Sequence, residues 1–322
     1  MSMIRILSER TVEVLMADEL EASFRVCADA YRYYGKVGDV LSKPSSLFLD
    51  LPGVNTKRCR LKGAHQADAG IAGFRLASPG SYFTWVIDSE TGSPIGLVAE
   101  NWLHRRRTAV TGALVLSWLR PDLKVIALIG AGKIGRECAL MLSSAFPNAK
   151  FILGARDIGR GQIFSDSLEG LVKQFTVMSV EQAVRCADAV LTITKADRSF
   201  IDGDWLKKGA IALSMGGVPE FNYKTWCRAD RFFLDDIGYA MQQGDLHHWV
   251  KNDGLNEEEI KTKLTATVGE LALDCKQYEN SQSSLTLLII QGMAVCDIAM
   301  AGLALRLAEA RGIGQLIDLN GD

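Results

Sequence analysis

Residues 124–138, KVIALIGAGKIGREC, constrain this chain more than any other stretch. Val125, Ile126, Ala127, Leu128 and Ile129 form a short continuous apolar run, as in a strand buried on both faces. Gly130, Gly132 and Gly135 follow in G-x-G-x-x-G spacing, and 136–145 then reads as helix. Each glycine has its own task. The first permits a tight turn, the second lets backbone approach a pyrophosphate, and the third lets helix and strand pack closely. The helix start adds unpaired N–H groups and the positive end of its dipole. A second strand arrives on time at 151–153. Strand, loop, helix and strand together point to dinucleotide binding, with Gly130, Gly132, Lys133, Ile134 and Gly135 in contact with the cofactor.

The pattern continues on that rhythm. Strands are expected at 125–129, 151–153, 175–178, 189–194, 210–214 and 231–234, with helices between them. Regular alternation predicts a doubly wound parallel sheet, a Rossmann-type α/β domain. Beyond it, 257–273 reads as a helix with an acidic start, and 285–311 as one long, mostly apolar and therefore buried helix.

The front third reads differently. Ser8 can cap a short helix, and 19–34 forms a better one with Leu20, Phe24, Cys27, Ala28 and Tyr31 on one face and Gly35 closing it. Short β-leaning runs follow at 46–51, 58–63, 73–77, 82–87 and 95–99, the last two joined by the turn-rich 88–94. A helix then runs to Leu119, and Pro121 marks the passage into the nucleotide domain. The expected architecture is a Rossmann domain over 121–297 and a discontinuous α+β substrate and dimerisation domain over 1–120 and 298–322.

Composition narrows the partners. A 322-residue chain that is 48% hydrophobic can build two domains with a sizeable core. A net charge of −2 gives no general pull toward nucleic acid or a membrane surface. Seven cysteines without a C-x-x-C pair fit reduced thiols better than a disulfide frame or zinc site. The N-terminus lacks the apolar core of a signal peptide, and no run is long enough to span a bilayer. A cytoplasmic protein is expected. His247 and His248 are adjacent, so on a helix they face different ways and make no metal pair.

At the end of the second strand an NAD enzyme places a carboxylate for the ribose hydroxyls. Here Gly154 and Ala155 lead into Arg156, and the carboxylate comes late, at Asp157. A guanidinium can grip a 2′-phosphate, so Arg156 favours NADP, with NAD the alternative. On the substrate side, His104, Arg105, Arg106 and Arg107 open a helix against its dipole, an arrangement that suits an anionic ligand. Arg107 adjoins small residues and is the one expected to point inward. Glu100 is placed to orient it, and Asp297 to form a buried ion pair.

These segments resemble a known family. Arg107-Thr108-Ala109-Val110 follows a hairpin reading TG-x-P-x-x-L-x-x-E, from Thr91 to Glu100. Together with the glycine loop, Val190 to Thr194, Ser214-Met215-Gly216, Asp235-Asp236 and Gly292-Met293-Ala294 with Asp297, it is similar to the ornithine cyclodeaminase/μ-crystallin family over nearly the whole chain. Residues 229–244 and the terminal Ile313-Gly314 look most like the branch that forms 2,3-diaminopropionate by oxidative cleavage of a C–N conjugate. The resemblance implies an NAD(P)-dependent oxidoreductase acting on the C–N bond of an amino acid or cyclic imine, and a homodimer formed through the first domain. Cleavage of an N-linked conjugate and a non-catalytic NADP-binding role are the alternatives. It further implies that Arg107 binds the substrate carboxylate, that Thr192 and Ile193 lie by the ribose, and that Ser214, Met215 and Gly216 lie by the nicotinamide. Thr108 joins the cofactor set.

Two positions depart from the family pattern. The family's G-x-K becomes Gly73-Phe74-Arg75, so Arg75 keeps the charge but is a poor proton carrier. Where relatives have an aspartate after the Ser-Met-Gly segment, this chain has Val218-Pro219, and the first carboxylate is Glu220. Glu220 and His65 are therefore the candidates for the acid/base role. Lys43 is a further candidate for the carboxylate.

Overall fold

The computed structural model describes residues 3–52, 58–173, 175–279 and 283–319. In chain order its elements are β1 (Met3–Leu7), α1 (Glu9–Met16), α2 (Leu20–Val37), β2 (Leu47–Asp50), β3 (Arg58–Gln66), β4 (Ile71–Ala77), β5 (Tyr82–Asp88), β6 (Pro94–Ala99), α3 (Asn101–Leu119), β7 (Val125–Ile129), α4 (Lys133–Ala145), β8 (Lys150–Ala155), α5 (Ile158–Asp166) and β9 (Thr176–Ser179). There follow α6 (Val180–Cys186), β10 (Ala189–Thr192), β11 (Ile211–Ser214), α7 (Tyr223–Arg228), β12 (Arg231–Leu234), α8 (Ile237–Ala240), α9 (Gly244–Asn252), α10 (Glu257–Lys263), β13 (Leu264–Thr267), α11 (Val268–Leu273), β14 (Thr286–Ile289), α12 (Ala294–Ala310) and β15 (Gln315–Asp318).

The chain divides into two compact units, Met1–Arg107 with Met293–Asp322, and Thr108–Gly292. The division falls inside α3, not after it near residue 120 as the proline suggested. Ala109, Val110, Ala113, Val115, Leu116 and Leu119 are all buried, so the second half of the helix belongs to the core of the second unit. The chain returns to the first unit at Met293, five residues before the expected 298.

The first unit holds a seven-stranded sheet in the order β15-β1-β6-β5-β4-β3-β2, antiparallel throughout except for β1 against β6. Helix α12 covers one face, against β3, β4, β5 and β6. A Cβ on Gly302 would meet the Ile71 side chain, and one on Gly96 would meet Leu305. Because strand side chains alternate, Ile71, Gly73 and Arg75 face α12 while Ala72, Phe74 and Leu76 face away. Lys62 is paired with Arg75 in the β3–β4 ladder, so it shares the inward face.

The second unit is an eight-stranded, wholly parallel sheet in the order β13-β12-β14-β11-β10-β7-β8-β9. Helices connect the strands, which gives the doubly wound α/β class expected. The chain winds outward from β7 to β9 and then returns to β10, so the strand order reverses between β7 and β10. Their carboxyl ends form the switch point where such sheets take ligands. Leu128, Leu191, Leu213 and Leu288 are fully buried along the middle strands. Each such side chain contributes about 1.5–3 kcal/mol of transfer free energy.

Several expected elements need correction. The apolar run from Leu285 is not one helix. It is strand β14, a turn at Gly292 with φ +80°, and then α12. A continuous apolar run suits a buried strand as well as a buried helix, and only the glycine marks the break. Residues 257–273 likewise split into α10, β13 and α11, because Leu264–Thr267 pairs with β12. Asn256 with Glu259 and Thr267 with Glu270 form the capping boxes that start the two helices. Helix α2 ends at Gly38, whose φ of +77° fits the role assigned to Gly35. Strands β1 and β15, absent from the sequence reading, pair with each other at the sheet edge.

Candidate functional site

In the first unit a cluster of charged side chains lies under α12. Arg75, Arg107, Glu100, Asp297 and Lys62 are each no more than 2% exposed. Strands β3 and β4 bring Lys62 and Arg75, the start of α3 brings Arg107 and His104, Glu100 precedes that helix, and Asp297 lies in the first turn of α12. Arg75 Nε donates to Glu100 Oε2 at 2.7 Å and lies 3.7 Å from Asp297 Oδ2. Its guanidinium carbon is 4.8 Å from the centre of the Tyr82 ring. Arg107 Nε donates to Asp297 Oδ1, and Arg107 Nη2 donates to His104 Nδ1 at 3.0 Å. That bond fixes His104 as an acceptor at Nδ1.

The charges are unequal. Burial, opposed by Arg75, pushes Glu100 up to about 8. Burial would raise Asp297 as well, but Arg107, Arg75 and Lys62 together hold it below the usual aspartate value. Near neutrality Glu100 therefore holds its proton while Asp297 stays ionised. Glu100 Oε1 and Asp297 Oδ2 are among the buried oxygens without a hydrogen-bond partner among the described residues. Burial, then Arg107 and Arg75, keeps the His104 ring well below its ordinary pKa and so uncharged. Near neutrality two guanidinium charges therefore face one carboxylate, and the cluster carries an uncompensated positive charge. Burying one is costly unless an anion joins it. Glu100, His104 and Asp297 lie close enough to hold a cation, but the two arginines already occupy the carboxylates.

In the second unit each glycine of the loop has its task. Gly130 has φ +141°, and a Cβ there would strike the Ile193 carbonyl, so the turn after β7 closes against the end of β10. A Cβ on Gly135 would overlap the Gly130 carbonyl oxygen. Gly132, the N-cap of α4, would meet no protein atom within 4 Å. No side chain caps that helix, so the amides of its first turn, from Lys133 and Ile134 on, remain for an anion. Arg156 is exposed just past β8, while Asp157 Oδ1 caps α5 by accepting from the Arg160 amide at 3.0 Å. These residues fit a pyrophosphate and leave a guanidinium for a further phosphate.

Thr192 and Ser214 end β10 and β11, with Ile193, Met215 and Gly216 just beyond. Glu220 fixes these ends. Its carboxylate accepts from the Thr192 hydroxyl at 2.6 Å, the Thr194 amide at 2.6 Å and the Gly216 amide at 3.1 Å. Gln291 donates to the Gly216 carbonyl at 3.1 Å. Glu220 is fully buried with both oxygens engaged, so the structure makes it a clamp on the loop and gives it no free oxygen for proton transfer. Asp245 anchors it from behind, accepting from the Glu220 and Phe221 amides, and burial pushes Asp245 up to about 8. Thr108, one residue past Arg107 on α3, is buried.

His65 stands apart from the cluster. It lies on the β3 face opposite Lys62, its ring bonded to the Tyr33 hydroxyl at 3.0 Å and the Asp39 carbonyl at 3.3 Å. With both ring nitrogens engaged, it ties α2 to β3. Lys43 is exposed and paired with Asp39 at 2.6 Å, a surface contact. Arg106 is buried over the Trp102 ring. Glu100 holds Arg75, and it is Asp297 that holds Arg107. Lys62 was missed, although a lysine at an inward position of a buried strand was a signal that alternation could have exposed.

The ornithine cyclodeaminase/mu-crystallin family profile matches residues 78–308. The chain belongs to this family. Within it, an uncharacterized cyclodeaminase of Sinorhizobium fredii is 27% identical over 340 positions, covering 99% of this chain and 100% of the relative. Among solved structures, an archaeal alanine dehydrogenase dimer with bound NAD superposes with a TM-score of 0.86 at 21% identity, covering 98% and 99% of the two chains. The Δ1-pyrroline-2-carboxylate reductase of Thermococcus litoralis, in complex with NADH and L-proline, gives 0.84 at 17% identity, covering 97% and 99%. Both share the fold of this family member.

Proposed function

We propose that this chain is an NAD(P)-dependent oxidoreductase acting on the C–N bond of an amino acid or cyclic imine that carries a carboxylate. One observation carries it: the buried Arg75–Glu100–Asp297–Arg107 cluster holds one positive charge more than its own carboxylates balance. A substrate carboxylate completes that balance. Arg107 and Arg75 then hold the acid while the carbon beside it reacts. Their field also raises the electrophilicity of an imine next to the carboxylate.

Gly130, Gly132, Lys133, Ile134 and Gly135 hold the pyrophosphate, Thr192 and Ile193 the ribose, and Ser214, Met215 and Gly216 the nicotinamide. Glu220 and Gln291 keep the last of these loops in place. Thr108 is assigned to the cofactor set. Arg156 favours NADP, since the nearest carboxylate, Asp157, is committed to its helix cap. The bound cofactor supplies or accepts a hydride, and the protein supplies orientation and field.

The outer face of the first unit's sheet exposes Leu47, Leu49, Phe74, Leu76 and Phe83, which the strand register puts on one side. A second copy of this chain is the proposed occupant, as the archaeal relative is a dimer. Sedimentation of the purified protein checks this, and a monomer at micromolar concentration counts against it.

The function is tested by following NADPH and NADH oxidation with pyrroline-2-carboxylate, piperideine-2-carboxylate, and pyruvate plus an amine. Turnover of at least one imino acid is expected. Nucleotide binding without turnover across the set would favour a binding role. NAD+-dependent release of a 2-oxo acid from an N-linked conjugate would favour the cleavage reaction.

A further inference from the structure

Resting on the assignment of Arg75 and Arg107 as the carboxylate clamp, we propose that Lys62 is the proton carrier of this site, exchanging a proton with the substrate nitrogen. Geometry carries it first. Lys62 stands opposite Arg75 in the β3–β4 ladder, on the face that α12 covers, and is 1% exposed. A long cationic side chain at such a position cannot reach solvent by snorkelling. It is held among Arg60 of its own strand, Arg75 of β4, Arg107 and His104 near the start of α3, and Asp297 of α12.

The other groups of the cluster are poorer carriers. Arg75 and Arg107 do not shed protons. His104 is kept uncharged and accepts from Arg107. Glu100 bears a proton near neutrality, but one of its oxygens is committed to Arg75. Lys62 has both the chemistry and the setting. Burial first, then the Arg60, Arg75 and Arg107 charges, push its amine well below the ordinary lysine value, against the pull of Asp297. An arginine on β4 paired with a lysine on β3 thus divides two tasks, a fixed charge for the carboxylate and a titrating amine for the nitrogen.

The division implies an order of events. A carboxylate arriving at Arg75 and Arg107 adds negative charge beside Lys62 and raises its pKa, so binding draws a proton onto the amine. In the reductive direction the Lys62 ammonium gives that proton to the imine nitrogen, forming an N–H bond. The C=N π bond breaks as the carbon accepts a hydride from the reduced nicotinamide, the two-electron reductant. Lys62 is left as the amine and regains a proton from solvent. In the oxidative direction the neutral amine removes the proton.

The test joins a binding readout to a kinetic one. Calorimetric titration with pyrrole-2-carboxylate, whose ring nitrogen is not basic, in buffers of different ionisation enthalpy gives protons taken up between about pH 6 and about pH 10. Below about pH 7, where Glu100 already holds its proton, wild type is expected to take up a fraction of a proton approaching one and K62M to lose that uptake, while E100Q loses only the further uptake near pH 8 that Glu100 contributes. With pyrroline-2-carboxylate, K62M should lower kcat by about 100-fold or more, as when a general acid is removed, and raise KM by about tenfold, since binding no longer gains from protonating the amine, with NADPH affinity within about threefold. K62R, which keeps the charge but holds its proton, should be as slow as K62M. The K62R comparison and the thermal midpoints of both variants guard against misreading a folding defect. Proton uptake unchanged in K62M, or kcat within about threefold of wild type in either variant, would overturn the role of Lys62 and leave the reductase assignment standing. A wild-type protein that turns over no imino acid would overturn the assignment itself, and the role of Lys62 with it.

Discussion

Arg107 and Asp297 form a fully buried ion pair joining the second turn of α3 to the first turn of α12, residues 190 positions apart in the chain. Burial alone would lower the pKa of Arg107, and the Asp297 carboxylate, helped by Glu100, outweighs it and raises the value instead. The pair is therefore both a fold contact and the electrostatic seat of the proposed site.

The two roles separate by mutation. Arg107→Ala leaves Asp297 buried and without its main partner, which should cost about 3–5 kcal/mol of stability. Replacing both partners by apolar residues, as R107M/D297L, should recover most of that stability. The double variant should still lack imino-acid turnover while binding NADPH normally. Thermal unfolding, nucleotide titration and steady-state rates on the three proteins check this. Substrate KM unchanged in the double variant would count against the carboxylate clamp.

Glu100 makes carboxylate binding depend on pH. With its pKa pushed up to about 8, it is protonated at neutrality and the cluster is net positive. Above about pH 8 it ionises, the excess charge is lost, and KM for an imino acid should rise. Glu100→Gln should flatten that rise. The sign for folding follows from the same shift. A carboxyl whose folded pKa lies above its unfolded value contributes stability at low pH and loses it as pH climbs between the ordinary value of 4.5 and about 8. Glu100→Gln should therefore remove a decline in stability across that window, read from denaturant midpoints.

The glycine loop separates packing from binding. Gly135→Ala forces a methyl onto the Gly130 carbonyl, an overpacking that should cost about 1–3 kcal/mol and lower the melting temperature. Gly132→Ala has room within the protein, so its melting temperature should match wild type. Its dinucleotide affinity should fall, because the methyl stands where the pyrophosphate is assigned. Equal affinity for wild type and G132A would place the cofactor elsewhere.

Arg156 decides between the two cofactors. Arg156→Ala should weaken NADP by about 10- to 100-fold, the equivalent of a lost charge-assisted hydrogen bond of about 1.5–3 kcal/mol. NAD affinity should be nearly unchanged. Fluorescence titration with NADPH and NADH gives both values, and parallel losses would remove Arg156 from the phosphate site.

The parallel sheet was legible in the sequence because a buried strand followed by spaced glycines is a local signal. Asp297 and Arg107 were also legible, since a charge on an otherwise apolar helix demands a partner. Legibility failed where the deciding contact was distant. Leu285 to Ile289 reads as helix until β11 and β12 claim it as a strand between them. His65 looked like an acid/base from its neighbourhood in the chain, but strand alternation turns it to the opposite face. Lys62 was passed over for the same reason in reverse: nothing adjacent to it in sequence reveals that Arg75 lies across from it.

The most direct measurement is the ratio of kcat/KM for pyrroline-2-carboxylate to that for pyrroline, the same imine without its carboxylate. A site built around an uncompensated buried charge should prefer the acid by about ten-thousand-fold, and R107M/D297L should erase most of that preference. Comparable efficiency on both imines by the wild-type enzyme would contradict the account.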